Sequence, residues 1–178
     1  VAFGILARVI SLSDRLKLIF DQLLPGKPVW DLCCDHGYFG LHAYESQKFS
    51  EVFFVDQVPE IIERLKKHFN EKYLASNNLT ETNFKVASAE NLNISLTGNV
   101  VISGVGSYTI SQILKSLHTK GLLKADRLIL CPQNDVVKIE DLKKLPDFSY
   151  QQVHETLSVR EKNRVRKIYI LDLESTHT

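Results

Sequence analysis

With 178 residues, 44% of them apolar and 24% charged, and a net charge of +1, the chain has the size and balance of one globular domain, which excludes a disordered segment, a collagen-like fibre and a strongly basic nucleic-acid coat. Its three cysteines, Cys33, Cys34 and Cys131, form no Cys-x-x-Cys pair, so the expectation is reduced thiols in the cytoplasm and no metal site. Residues 1–10 are apolar but too short for a membrane span and broken by Arg8, and they show neither a basic start nor a small-residue cleavage site; no membrane partner is expected.

In chain order, Leu12, Leu16, Ile19, Phe20 and Leu23 recur at helical spacing over residues 11–24, with Ser13 as a cap and Pro25-Gly26 as a stop. Residues 29–34 form a short apolar run that ends in Asp35-His36-Gly37, predicting a buried strand and a tight turn into a helix over 38–47. A second run, 51–55, ends in Asp56, and Pro59 suits the first turn of a helix that carries Ile61, Ile62, Leu65 and Phe69. Further strands are expected at 84–87, before Ala89-Glu90-Asn91, at 100–103, before Gly104-Val105-Gly106, and at 127–131, before Pro132-Gln133-Asn134. A helix bearing Ile110, Ile113, Leu114 and Leu117 separates the last two, and another is expected over 141–145.

The pattern then changes. Residues 150–159 and 165–173 read as two strands with no helix between them, joined by a turn at Glu161-Lys162-Asn163. Strands that alternate with helices, each strand a continuous apolar run, predict a parallel sheet covered on both faces. The expected fold is therefore α/β and Rossmann-like: a helix over 11–26, βα units over 28–146 and an antiparallel hairpin over 149–174, in one domain with a mostly parallel seven-stranded sheet. A doubly wound sheet that closes on such a hairpin is the methyltransferase variant.

In an open α/β sheet, ligands bind outside the carboxyl ends of the strands. The polar residues expected there are Asp31, Asp35 and His36 after the first strand, Asp56 and Gln57 after the second, Glu90 and Asn91 after the third, Ser103 and Gly104 after the fourth, and Gln133 and Asn134 after the fifth. An acid at the tip of the second strand can accept both ribose hydroxyls of an adenosine, and Asp56 has that position. Glu90 or Asn91 is placed to read the adenine amino edge. Gly37 and Gly104 keep the backbone open where a cofactor must come close. Each also has a plainer role: Asp35 and Asn91 as caps or turn residues, Asp56 as a helix cap, His36 as a surface histidine. Acids at three successive strand ends favour the binding role. The nicotinamide alternative lacks its Gly-x-Gly-x-x-Gly fingerprint after the first strand, and no Walker A loop is present.

On these residues the chain resembles the TrmK family of bacterial tRNA (adenine(22)-N1)-methyltransferases, class I enzymes that use S-adenosyl-L-methionine. Asp31-Leu32-Cys33-Cys34-Asp35-His36-Gly37-Tyr38 is similar to the family's Asp-Ile-Gly-Ser-Asp-His-Ala-Tyr. Leu12-Ser13-Asp14-Arg15-Leu16 is similar to its Leu-Ser-x-Arg-Leu, Val101-Ile102-Ser103-Gly104-Val105-Gly106-Ser107 to its Ile-Ala-Gly-Met-Gly-Gly, and Leu128-Ile129-Leu130-Cys131-Pro132-Gln133 to its Leu-Ile-Leu-Gln-Pro-Asn. Cys33 replaces a cofactor-loop glycine, and the family's C-terminal helical extension does not follow within the 178 residues.

The resemblance implies S-adenosylmethionine held by Asp31, Cys33, His36, Gly37, Asp56, Gln57, Glu90, Asn91, Ser103 and Gly104, and tRNA or another RNA as substrate. N1 lies on the Watson–Crick edge, so the target adenine must leave its stack. Asp35 is expected to orient its amino group, and Tyr38 or Tyr108 to supply an aromatic face, with Gln133 and Asn134 towards the substrate. Arg160, Lys162, Arg164, Arg166 and Lys167 around the last turn are expected to meet phosphates, Arg15 being a further candidate; the alternative is a solvated, edge-protecting hairpin. Other expectations are a methyltransferase for another RNA, a protein or a small molecule, and a cofactor-binding module without turnover.

Overall fold

A computed structural model describes residues 10–73, 83–133, 137–153 and 155–174. The chain runs α1 (Asp14–Phe20), β1 (Val29–Leu32), α2 (Tyr38–Glu45), β2 (Val52–Asp56), α3 (Pro59–Tyr73), β3 (Phe84–Val86), β4 (Leu96–Ser103), α4 (Ser107–Thr119), β5 (Leu123–Cys131), α5 (Ile139–Leu142), β6 (Tyr150–Gln152), β7 (Leu157–Glu161) and β8 (Arg164–Leu173). A 3-10 turn, Ala89–Asn91, stands between β3 and β4.

Among the described residues the sheet has eight strands, against the seven expected, in the order β3-β2-β1-β4-β5-β8-β6, with β7 paired to β8 off this path. The first five strands are parallel, and β8 is antiparallel to both β5 and β6. The extra strand arises because residues 150–159 are not one strand: the polar stretch after Val153 has no apolar alternation to hold it in a sheet, and the run divides into β6 and β7. The two halves serve different ends of β8. Its residues 164–168 pair with β7, and its residues 169–173 lie between β5 and β6. The hairpin turn falls where expected, with Lys162 at φ 51°.

Side chains alternate between two apolar layers, as a pleated sheet dictates. Trp30, Leu32, Val100, Ile102, Leu128 and Leu130 pack against Ile110, Ile113 and Leu114 of α4. On the other face Val29, Phe54, Val101 and Ile129 meet Leu41 of α2 and Ile62, Leu65 and Phe69 of α3. The spacing of Ile62, Leu65, Phe69 and Tyr73 explains why this face of α3 is the buried one.

Several boundaries differ from the sequence expectation: β5 begins at Leu123 rather than at 127, α5 covers Ile139–Leu142 rather than 141–145, and α1 and β4 differ as well. The helix expected over 11–24 is α-helical only to Phe20; Gln22 and Leu23 donate to Ile19 and Phe20 in tighter turns before Pro25. Its start is capped as expected, the Ser13 hydroxyl accepting the Leu16 N–H at 3.4 Å. The strand expected at 100–103 begins four residues earlier, because Leu96–Gly98 pair with Leu123–Ala125 of β5; within it, buried Asn99 accepts the Leu24 N–H at 2.7 Å and donates to the Leu24 and Pro28 carbonyls. That side chain ties the end of the α1 segment to the sheet.

Candidate active site

At the carboxyl ends of β1 to β5 lies a cavity of about 520 Å3. Residues 33–37 form its first wall. Cys33, Asp35 and Gly37 take positive φ values of 60°, 48° and 67°, which folds the loop tightly over the end of β1. Only glycine adopts this region without cost, so Cys33 and Asp35 are held there by their contacts. One such contact is the Asp35 N–H, which donates to Asp56 Oδ2 at 3.1 Å. The other Asp56 oxygen accepts the Val58 N–H at 3.0 Å. Each carboxylate oxygen thus keeps a lone pair for a ligand.

Three of the expected acids, Asp31, Asp56 and Glu90, line this cavity together with Cys33. Burial pushes the Cys33 thiol up to about 12, and Asp56, Asp31 and Glu90 each push it further in that direction. These carboxylates come from the ends of β1 and β2 and from the turn after β3, so three chain segments contribute an acid to the same cavity. Asp31 is itself buried, and that burial raises it to about 8 against the hydrogen bond from the Gly40 N–H at 3.1 Å; Asp56 and Asp35 add to the rise. Glycine at position 40 is required, since a Cβ there would lie 2.4 Å from the Phe54 ring. Cys34 and Cys131 are also driven upward by burial, so none of the three thiols is an activated nucleophile.

Of the expected cofactor residues, Asp31, Cys33, His36, Gly37, Asp56 and Gln57 line the cavity on one side, and Glu90, Ser103 and Gly104 on the other. Asp35, Tyr38 and Gln133 also border it. Gly104 has φ 80°, and a Cβ at this position would meet nothing within 4 Å, so its backbone leaves open space. His36 Nδ1 lies 2.8 Å from Asp35 Oδ2, and the His36 ring stacks on Tyr38 with centroids 5.5 Å apart.

Other expected residues lie outside the cavity lining. Asn91 closes the 3-10 turn by donating to the Ser88 carbonyl and is exposed, so it does not line the cavity. Tyr108 stands in the first turn of α4, 75% exposed and outside the lining. Asn134 lies outside the described residues. Arg160 and Arg164, expected as phosphate contacts, are exposed on β7 and β8. Arg166 is not a free cation: it pairs with Glu161 at 3.4 Å and donates to the Gln133 carbonyl.

Several wall residues were not expected at the site, among them Val105 just before α4 and Thr109 within it, Ser88 and Ala89, and Arg15. Ser88 and Ala89 lie just before Glu90 in the same loop, and that adjacency was the available signal. Arg15 was expected only as an RNA contact. The structure brings it from α1 into the cavity wall, where its Nε pairs with Glu161 Oε1 at 3.1 Å. It also lies beside the Cys131 thiol and opposes that group's rise. Apart from His36, Arg15 is the one basic residue among the described residues of a lining that holds four carboxylates. Among the described residues no group of His, Cys, Asp and Glu is arranged to hold a metal ion, and no helix is long and apolar enough to cross a membrane.

The family described as Methyltransferase domain matches residues 12–169. No curated protein sequence matches the chain. Among solved structures, TrmK of M. capricolum in complex with S-adenosyl-homocysteine is similar at 20% identity, with 91% of this chain and 69% of that one covered and a TM-score of 0.70. The B. subtilis m1A22 tRNA methyltransferase TrmK is similar at 18% identity, covering 93% and 68%, also with a TM-score of 0.70. The magnesium protoporphyrin IX methyltransferase of Synechocystis PCC 6803, with SAM bound, is similar at 20% identity, covering 90% and 76%, with a TM-score of 0.64. At these identities the likeness is one of fold.

Proposed function

Because the chain belongs to the methyltransferase-domain family, we propose that its cavity binds S-adenosyl-L-methionine and that the methyl group goes to N1 of an adenine in tRNA. The observation that carries the cofactor reading is that Asp31, Asp56 and Glu90, from three successive strand ends, line one cavity. A cavity of about 520 Å3 lies within the range that small-molecule cofactors occupy. Its charges match a ligand with two hydroxyls, a cationic end and a carboxylate. Asp56 has lone pairs free for the ribose hydroxyls, buried Asp31 is the acceptor for an ammonium, and Arg15 is the donor for a carboxylate. Glu90 is the acceptor for the adenine amino group.

When bound, the cofactor supplies an electrophilic methyl group on a sulfonium. The protein needs no general base, because N1 of adenine attacks with its own lone pair. Its work is alignment and the exclusion of water. Asp35, at the cavity mouth, orients the adenine amino group and offsets the positive charge that N1-methylation creates. Tyr38, half exposed beside it, offers the base an aromatic face. Exposed Arg160, Lys162, Arg164 and Lys167 form the phosphate-binding edge on the hairpin.

The tRNA reading rests on the Asp-His-x-Tyr element at the cavity mouth and on the likeness to the two TrmK structures. It places the reaction in the cytoplasm. Incubation with labelled S-adenosylmethionine and unmodified bulk tRNA, followed by mapping of the labelled base, tests it. Label in N1-methyladenine is the expected result. Label only in protein or in a small molecule would assign another acceptor, and cofactor binding without transfer would leave a binding module.

A further inference from the structure

A second recess, of about 240 Å3, opens beside the main cavity and shares its wall. His36 and Tyr38 border both. The floor is Leu41 of α2 with Ile61 and Leu65 of α3, and the outer rim is Arg64 and His68, one turn apart on α3. The two compartments differ sharply in charge. The main cavity is lined by Asp31, Asp35, Asp56 and Glu90, whereas none of the described residues that line the recess is acidic. Arg64 and His68 are exposed, and neither has an ion-pair or hydrogen-bond partner among the described residues. On the same helix Lys67 is paired with Glu71, whereas the Arg64 guanidinium is exposed at the rim of the recess.

These features describe the needs of one nucleotide. A flat aromatic pair stands over an aliphatic floor and provides a stacking surface for a base, and a guanidinium at the rim suits a phosphate. The volume falls below the roughly 300 Å3 at which pockets begin to enclose drug-sized ligands. A polyanion is repelled by the carboxylates of the main cavity and attracted to the recess. The shared wall means that an occupant sits next to whatever enters the main cavity.

We propose that this recess seats a nucleotide that flanks the methylated one in an unpaired stretch of the RNA substrate, its base on the aliphatic floor against His36 and its phosphate on Arg64, with the free face of Tyr38 left to the target adenine. This rests on the RNA-methyltransferase reading and adds a second contact point to it. Seating the neighbour outside the main cavity holds the target adenine out of its stack without placing phosphate among the four acids.

The test compares Arg64→Glu with Lys67→Glu, which makes the same charge change on the same helix outside the recess. Methyl transfer to bulk tRNA and binding of a short fluorescent single-stranded oligoadenylate are measured with each, along with S-adenosylmethionine affinity. Arg64→Glu is expected to raise KM for tRNA and Kd for the oligonucleotide by about tenfold or more. It should leave kcat and cofactor affinity unchanged, and Lys67→Glu should shift neither RNA parameter comparably. Equal effects of the two variants, or none, would overturn the recess while RNA methylation by the wild type stands. Weakened cofactor affinity in Arg64→Glu would make the recess part of the cofactor site and would also overturn it. A wild type that neither binds the oligonucleotide nor methylates RNA would sink both the recess and the reading it rests on.

Discussion

The backbone N–H of Asp35 donates to the carboxylate of Asp56 at 3.1 Å, which joins the loop after the first strand to the tip of the second. Asp56 therefore has two tasks: it fixes the loop that carries Asp35 and presents its remaining lone pairs to the cavity. Removing the side chain altogether would leave the Asp35 and Val58 amides without their acceptor, so Asp56→Ala is expected to lose stability as well as cofactor. Asp56→Asn keeps an acceptor for only one of the two amides and sets its NH2 against the other, a smaller disturbance than Ala. It should fold, with S-adenosylmethionine affinity lowered by about tenfold or more, as expected when a charged hydrogen-bond acceptor becomes neutral. Unchanged calorimetric affinity would remove Asp56 from the ribose site.

Asp35 is best tested with Asn, which tolerates its φ of 48° better than Ala does. Asp35→Asn should bind cofactor normally and lose turnover on RNA by about a hundredfold, the scale on which one electrostatic group matters at a transition state. Single-turnover methylation at saturating cofactor is the measurement. Near-normal rates would return Asp35 to a turn-forming role.

Asp31 makes a prediction about pH. Its folded value of about 8, against 3.8 for an unperturbed carboxyl, means that between these limits the folded chain holds a proton that the unfolded chain has released. Stability should therefore fall as pH rises through this window, by up to about 1.4 kcal/mol per pH unit, and level off above about 8. Asp31→Asn keeps an acceptor for the Gly40 N–H and cannot ionise, so its urea midpoint should vary less with pH and exceed that of the wild type near pH 8. Parallel curves for the two proteins would refute this.

Cys33 holds a left-handed conformation in the place of a glycine. Cys33→Val, with a β-branched side chain at φ 60°, should lose about 1–2 kcal/mol. Cys33→Gly removes the strain but gains freedom in the unfolded chain, so its stability should stay within about 1 kcal/mol of the wild type. Thermal unfolding of the pair decides. Equal losses would mean that the thiol's packing governs the position, not the backbone.

The hairpin cations divide into two kinds. Arg164 is exposed, and Arg164→Ala should reduce the slope of log K against log salt for RNA binding by about one unit without altering kcat. Arg166 ties Glu161 to the Gln133 carbonyl at the cavity wall, so Arg166→Ala should affect catalysis as well as RNA binding. Indistinguishable effects on the salt slope and on kcat would abolish the distinction.

The parallel strands were legible because each is a largely apolar run, and the site acids because they stand in or just after the carboxyl ends of those runs: Asp31 within β1, Asp56 at the end of β2 and Glu90 shortly after β3. The division of residues 150–159 into two strands was less visible, since which edge of β8 a segment joins depends on neighbours distant in sequence. The orientation of Tyr108 and Asn91 was not legible either. A strand end brings a residue near the crevice, but the first turn of α4 and the close of the 3-10 turn carry these two side chains out to solvent.

What the sequence by itself determined is the order of strands and helices and the carboxylates at the strand ends, because hydrophobic period and chain adjacency are local properties. Only the tertiary structure decided which cations stand where. Arg15 enters the cavity wall from α1, Glu161 holds it 146 positions along the chain, and Arg166 is withdrawn from the surface by the same carboxylate. Charges act through space, and no pattern along the chain encodes which of them a fold will bring within about 4 Å of one another.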